Sequence, residues 1–187
     1  MERGKWPAPA TIATALLILL AAVVNPASAS DKLSEYQIKA AFLVNFARFV
    51  EWPPQAFGAA NDPFVFGVYG KDLWGAALDQ AVLGKTIDGR PAVIRRTSEV
   101  SALRSCQVVF VPAPEMRHWR EVSASLGNLS VLLVGESEGF AEGGGVINFI
   151  LEDERVRFEI NPSAAARVHL KVSSKLLQLA VIVGGGK

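Results

Sequence analysis

The spacing of apolar positions changes several times along this chain, and each change marks an element. From Ser34 to about Glu51 the apolar residues Ile38, Phe42, Leu43, Phe46, Phe49 and Val50 recur at three- and four-residue spacing. They cover more than one stripe, which predicts a helix packed on two sides. Ser34 and Gln37 stand at capping-box positions for its first turn. Trp52-Pro53-Pro54 stops it, because a residue before proline is pushed out of the helical region. Pro53 to Pro63 then reads as a surface loop.

Beyond the loop, short apolar runs alternate with amphipathic stretches. Phe64–Tyr69 (FVFGVY), Pro91–Arg96, Val108–Pro112 (VVFVP) and Val131–Val134 (VLLV) read as strands. Helices are predicted around Asp72–Ala81 and Glu115–Leu126. Continuous apolar strands alternating with helices are the sequence form of a parallel sheet covered on both faces. The end of the chain departs from that rhythm. Val146–Leu151 and Arg155–Ile160 flank Glu152-Asp153-Glu154, a tight polar turn, and so predict a β-hairpin. Asn161-Pro162 follows as an N-cap with proline at the first helical position, and a last helix is predicted over about Ser174–Ile182. The expected fold class is α/β: three layers, a mostly parallel sheet flanked by helices, and a C-terminal β-hairpin.

The N-terminus has a different pattern. Arg3 and Lys5 precede an apolar run from Ala10 to Val24, Asn25-Pro26 breaks it, and Ala27-Ser28-Ala29 supplies small residues for signal peptidase. The run is 15 residues long, short of the ~20 that span a bilayer. Residues 1–29 are therefore expected to be a cleaved secretory signal peptide, and residues 30–187 a single domain. An export signal of bacterial type directs that domain to the periplasm. The residue directly after the cleavage site is Ser30 and not a cysteine, which argues against a lipoprotein.

Composition narrows the function classes. The chain has 187 residues, 19 Lys+Arg against 18 Asp+Glu, and 50% hydrophobic residues. Losing Glu2, Arg3 and Lys5 with the leader leaves 17 charges of each sign, so the mature chain is neutral. Nucleic-acid binding needs a concentrated basic face, and none is present. The single Cys106 excludes an intrachain disulfide framework and a four-thiolate zinc site. It directly precedes a predicted strand, where a buried thiol packs well; pairing between chains is the alternative. The two histidines, His118 and His169, have no second ligand at helical spacing, so no metal and no cofactor are expected.

Gly135-Glu136-Ser137-Glu138-Gly139 matches the G-x-S-x-G nucleophile pattern after a strand, with Asp153 and His169 following in hydrolase order. A nucleophile elbow needs a long helix behind the serine, and Phe140-Ala141-Glu142 runs into three glycines instead. The simpler reading is a glycine-rich loop at the carboxyl end of a parallel strand, the edge where open α/β sheets bind ligands. Arg157, Glu159 and Asn161 share one face of the last strand, opposite Val156, Phe158 and Ile160, and Lys171 and Ser173 follow the capped helix. That group could hold a polar ligand or a partner; ordinary solvated ion pairs are the competing reading. Glu51-Trp52 offers an aromatic anchor beside a charge, unless the indole plugs the helix end. No paired carboxylates, phosphate loop or cofactor fingerprint point to a reaction, and the chain is not expected to be an enzyme.

Three longer segments carry a resemblance: YQIKAAFLVNFARFVEWP, then VGESEGFAEGGGVINFILED, then VRFEINPSAAARVHLKVSSKLLQLA. In this order, over about Leu33 to Val183, the chain resembles the YfiR family of periplasmic proteins. The resemblance implies an α/β domain that tends to dimerise and represses an inner-membrane diguanylate cyclase by binding its periplasmic sensor region. It also implies an outer-membrane lipoprotein that draws the repressor away, after which cyclic di-GMP rises and favours biofilm. By position it places the family's pocket carboxylate at Glu159, brings Lys171 and Ser173 to the same pocket, and sets Glu51 close by. The candidate partner- or ligand-binding residues are thus Glu51, Trp52, Glu136, Ser137, Glu138, Phe140, Arg157, Glu159, Lys171 and Ser173. The family's other disulfide positions are filled here by Gly67, Ala141 and Ile150, so a redox switch by intrachain disulfide is impossible. Two rival readings remain: a small-ligand-binding protein, and a serine hydrolase using Ser137.

Overall fold

The computed structural model describes residues 26–184. The expected leader lies outside them except for its last four residues. Helix α1 (Pro26–Arg48) already runs through Ser34, so the Ser34–Gln37 pair is not its first turn. Its buried side is one broad face containing Ala40, Leu43, Phe46 and Ala47, whereas Ile38 on the other side is 45% exposed. The helix is therefore packed on one side, not two.

In chain order there follow β1 (Val50–Glu51), β2 (Phe64–Tyr69), α2 (Ala76–Val82), β3 (Thr86–Ile87), β4 (Arg90–Thr97), β5 (Val108–Val111) and α3 (Trp119–Leu126). Then come β6 (Leu132–Gly135), β7 (Ile147–Glu152), β8 (Arg155–Ile160), α4 (Pro162–Arg167), β9 (Lys171–Val172), α5 (Ser174–Leu177) and β10 (Val181–Ile182). Eight strands form one sheet in the order β10-β8-β7-β6-β5-β2-β4-β3. Strands β4, β2, β5, β6 and β7 are mutually parallel. Strand β8 returns antiparallel to β7, closing the sheet with the expected hairpin. Asp153 and Glu154 occupy its turn at φ 49° and 60°, the positive-φ pair of a two-residue turn that matches strand twist.

Each face of the sheet has its own core. Phe64, Phe66, Val108, Phe110, Leu132 and Ile147 pack under α1 and α2. Val65, Val109, Leu133 and Phe140 pack under α3 and the 3-10 turn before β5. This is the physical origin of the uninterrupted apolar strands: with helices on both sides, neither set of alternate side chains meets water. Gln107 satisfies buried backbone in the second layer, accepting from Val65 N at 2.8 Å and donating to Ala56 O at 2.7 Å. Cys106 is a free thiol, 2% exposed, beside Gly67 of β2, where an added Cβ would lie 2.9 Å from its sulfur.

Two ends differ from expectation. Helix α1 stops at Arg48, and Val50–Glu51 instead pairs antiparallel with β9. The predicted last helix is only four residues long. The β-branched Val181 and Ile182 then add to the outer edge of β8, Val181 opposite Glu159, which supplies partners to an edge left open by the hairpin. Asn161 caps α4 as predicted, its Oδ1 accepting from Ala164 N at 2.9 Å. The cap is 3% exposed and its Nδ2 donates to Ala141 O at 2.7 Å, so it does not join Arg157 and Glu159 in a polar surface.

Candidate functional site: an acidic cleft at the sheet's switch point

From β2 the chain crosses to β4 on one side and later returns to β5 on the other. The carboxyl ends of β2 and β5 therefore diverge, which is where open parallel sheets form binding crevices. A cleft of about 1060 Å³ lies there. Its walls come from the segment after β2 (Lys71, Leu73, Trp74), the segment after β5 (Ala113, Pro114), α1, the loop after β6, and strands β7 and β8.

Glycines shape the loop after β6. Phe140 is fully buried against Trp119, with ring centroids 5.3 Å apart. Its ring lies so close to Gly135 and Gly145 that a Cβ on either would run into it. The aromatic plug holds the loop down, and Gly143 N closes it by donating to Gly139 O at 2.8 Å. Phe140 is thus a core residue rather than a contact surface.

Glu136 enters the cleft from the start of the same loop. Its carboxylate accepts from the Tyr36 hydroxyl at 3.0 Å, Lys39 Nζ at 2.7 Å and the backbone N of Ala113 at 3.1 Å. Lys39 also pairs with Glu35, one helical turn before it. The Lys39 and Glu136 side chains are only 5% and 6% exposed. A buried ammonium is tolerable only with carboxylates against it, and here it has two. Its charge also lies 4.8 Å from the Tyr36 ring centroid, a cation–π distance. Burial first, and then the Glu136 charge, push the Tyr36 hydroxyl well above the ordinary tyrosine range, so the phenol stays a donor.

At the far end of the cleft Asn148 and Glu159 face each other across the β7–β8 hairpin. Asn148 Nδ2 donates to Glu159 Oε2 at 3.0 Å. The amide oxygen of Asn148 and the indole nitrogen of Trp74 are buried without a partner.

Of the residues singled out from sequence, Glu136, Glu138 and Glu159 line this cleft. Ser137 is half-buried beside them but is not part of the lining. Arg157 pairs with Glu152 at the exposed end of the hairpin. Glu51 and Lys171 sit opposite each other on β1 and β9, 3.5 Å apart and largely exposed. Ser173 caps α5, accepting from Leu176 N. Trp52 closes the end of α1, its Nε1 donating to Ala47 O at 2.9 Å and its ring meeting Phe64 edge-on at 5.1 Å. The structure therefore divides the expected pocket, since Glu51, Lys171 and Ser173 do not line the cleft that holds Glu159. Tyr36, Lys39, Trp74 and Asn148 were not anticipated.

A hydrolase triad is not assembled either. Residues 138–144 form turns rather than a helix behind Ser137. Asp153 sits in the hairpin turn, and His169 is exposed beyond α4. Among the described residues no three His, Cys, Asp or Glu side chains converge as a metal site.

The family model described as DUF4154, YfiR/HmsC-like, matches residues 36–181, which is most of the chain. The chain belongs to the YfiR/HmsC-like family. No protein of curated function matches it. Among solved structures it is similar to a conserved domain protein of Vibrio cholerae O1 biovar El Tor, with 10% identity and a TM-score of 0.49 over 63% of this chain and 54% of that one. It is also similar to an ABC domain from Streptococcus pneumonia solved with L-Trp, with 11% identity and a TM-score of 0.54 over 77% of this chain and 60% of that one. The YfiR-like chain thus spans little more than half the length of either, and the second likeness concerns the fold alone. Among the described residues no helix is long and apolar enough to cross a membrane.

Proposed function

We propose that this protein is exported to the periplasm after cleavage behind Ala29. There it binds the periplasmic sensor region of an inner-membrane signalling protein and holds that protein inactive. The target the family points to is a diguanylate cyclase, so the outcome is lower cyclic di-GMP and less biofilm. The observation that carries this reading is the family match over residues 36–181. The absence of an assembled triad behind Ser137 is consistent with regulation by binding. Repression works through differential affinity: the bound protein must favour the inactive form of its target. Moving a target from 1:99 to 99:1 takes about 10⁴-fold tighter binding to the inactive state. The exposed Glu51–Lys171 pair and the hairpin end at Arg157 are polar surfaces open to such a partner. An outer-membrane lipoprotein competing for the same surface would release the target, and a homodimer would present it twice.

Deleting the gene in its own host tests the reading. The expected result is a rise in cyclic di-GMP and in biofilm mass, reversed by expressing the wild-type chain. Unchanged cyclic di-GMP in the deletion strain removes the cyclase as target. Affinity capture from membranes with residues Ser30 to Lys187 then identifies whichever sensor is held instead. A second reading, a small-ligand-binding protein, is favoured by one observation, the 1060 Å³ cleft. Native mass spectrometry that detects a retained small molecule would support it.

A further inference from the structure

The hairpin that closes the sheet leaves part of its outer edge uncovered. Strand β8 has six residues, and β10 meets only Glu159 and Ile160. Two backbone bonds fix which groups face outward. Asn161 N donates to Val146 O on the β7 side, and Val183 N donates to Ile160 O on the outer side. Odd positions therefore bond to β7, and even positions turn to the outer edge. Nearer the hairpin turn, Val156 presents its N–H and C=O to an open lane. Among the described residues no group bonds to either.

The two faces of that lane differ. On the α1 face Val156 is half-buried opposite Leu151, which is 58% exposed. Phe42 packs on Phe158 with ring centroids 5.4 Å apart, and Ile38, one helical turn earlier, is exposed. Helix and hairpin both lead from Phe158 toward the carboxyl end of the sheet, where Lys39 meets Glu136, so Ile38, Leu151 and Val156 gather at one apolar corner. On the opposite face β8 carries Arg155 and Arg157, both exposed. Arg157 pairs with Glu152, one strand further in. Arg155 forms no ion pair among the described residues.

Open backbone between an apolar face and a basic face defines the occupant. It is an extended segment in which apolar and acidic residues alternate, because successive side chains of a strand point to opposite faces. A second copy of β8 fits badly. Antiparallel pairing about Val156 would set Arg155 of each copy opposite Arg157 of the other, and like charges directly opposite are destabilising.

We infer that the turn-proximal half of the β8 edge takes up an alternating apolar–acidic segment of the membrane target by strand addition. The inference rests on the repressor reading for the identity of its partner, and on the edge alone for its chemistry.

Amide NMR titration of the mature chain with an acetylated, amidated Val-Glu-Val-Glu-Val-Glu-Val peptide tests the edge. The expected result is saturable shifts centred on Val156 and Phe158, with binding that weakens as NaCl is raised. The same peptide with lysine in place of glutamate should bind about tenfold more weakly. Val156→Pro removes an N–H that the free protein leaves unpaired, so it should fold, as thermal unfolding checks, and lose the peptide. Val156→Thr, equally β-branched, should keep it. Arg155→Glu/Arg157→Glu changes only exposed side chains and should weaken binding about tenfold, which keeps the test decisive if proline disturbs the strand. No saturable binding up to millimolar peptide overturns the inference, as does equal affinity for the lysine peptide or in the double variant. In the deletion host the double variant should fail to lower cyclic di-GMP, whereas Val156→Thr restores repression. Full repression by the double variant overturns the inference and leaves the repressor reading standing. No rise in cyclic di-GMP on deletion removes that reading instead, and the peptide titration alone then decides the edge.

Discussion

Replacing Lys39 by methionine is the sharpest test of how the cleft is built. Methionine keeps the length and helix propensity of the side chain, so α1 itself should be little affected. The loss is electrostatic. Glu136, 6% exposed at its side chain, would keep the Tyr36 hydroxyl and the Ala113 N–H as donors but lose its only cation. Removing one partner of a buried ion pair typically costs about 3–5 kcal/mol, because the remaining charge is buried and uncompensated. In a domain of this size each kcal/mol shifts Tm by about 2–4 °C, so a fall of roughly 6–12 °C is expected even at the lower end.

The value of the variant lies in its partner. Glu136→Gln in the Lys39→Met background removes the stranded charge but keeps an acceptor oxygen for Tyr36 and Ala113. The double variant should then recover at least half of the loss, since a neutralised pair is often nearly as stable as the pair itself. Urea unfolding of wild type, both single variants and the double variant gives the coupling directly. A single-variant cost below about 1 kcal/mol, or strictly additive costs, would mean that Lys39 is solvated in solution. The account of the cleft as a charge-balanced buried site would then be wrong.

Other outcomes follow from the same geometry. Phe140→Ala should cost about 3–5 kcal/mol by emptying the socket between Gly135 and Gly145, whereas Ser137→Ala should stay within about 0.5 kcal/mol; thermal unfolding separates them. Burial pushes the Cys106 thiol up, against the pull of nearby Arg95, so a thiol reagent should modify it slowly in the native protein and rapidly in urea. Tyr36 has its folded pKa raised above the unfolded value of about 10. Above that pH the unfolded chain releases a proton the folded chain keeps, so stability should fall as pH rises. In Tyr36→Phe that alkaline fall should be shallower, as urea midpoints between about pH 9 and 11 would show.

Much of the fold was legible because it rests on local period. Phe64–Tyr69 is a strand over the very residues its apolar run marks, and β5 and β6 fall within a residue of theirs. The hairpin and the Asn161 cap were equally readable, each being a few adjacent residues with one backbone solution. The two-residue strands were not. Val50–Glu51 and Val181–Ile182 are extended because Lys171–Val172 and the β8 edge are there to pair with them, and no local pattern within two residues announces a partner elsewhere in the chain.

The cleft was only partly legible, for the same reason. Glu136 and Glu138 could be named because they follow a parallel strand, and Glu159 because it lies on one face of the hairpin strand in the segment that carries the family resemblance. The residues that give Glu136 its meaning come from elsewhere. Lys39 was not singled out, yet it stands four residues before Leu43 and seven before Phe46, on the stripe that carries the core. A charge on that stripe must meet an opposite charge inside the protein. That was the available signal, and the partner, 97 residues on, could be known only from the fold. Lys171 and Ser173, placed by position near Glu159, lie outside this cleft, where β9 pairs with β1. Family membership therefore gives this chain its class, while the location of its binding chemistry depends on long-range pairing that position along the chain does not convey.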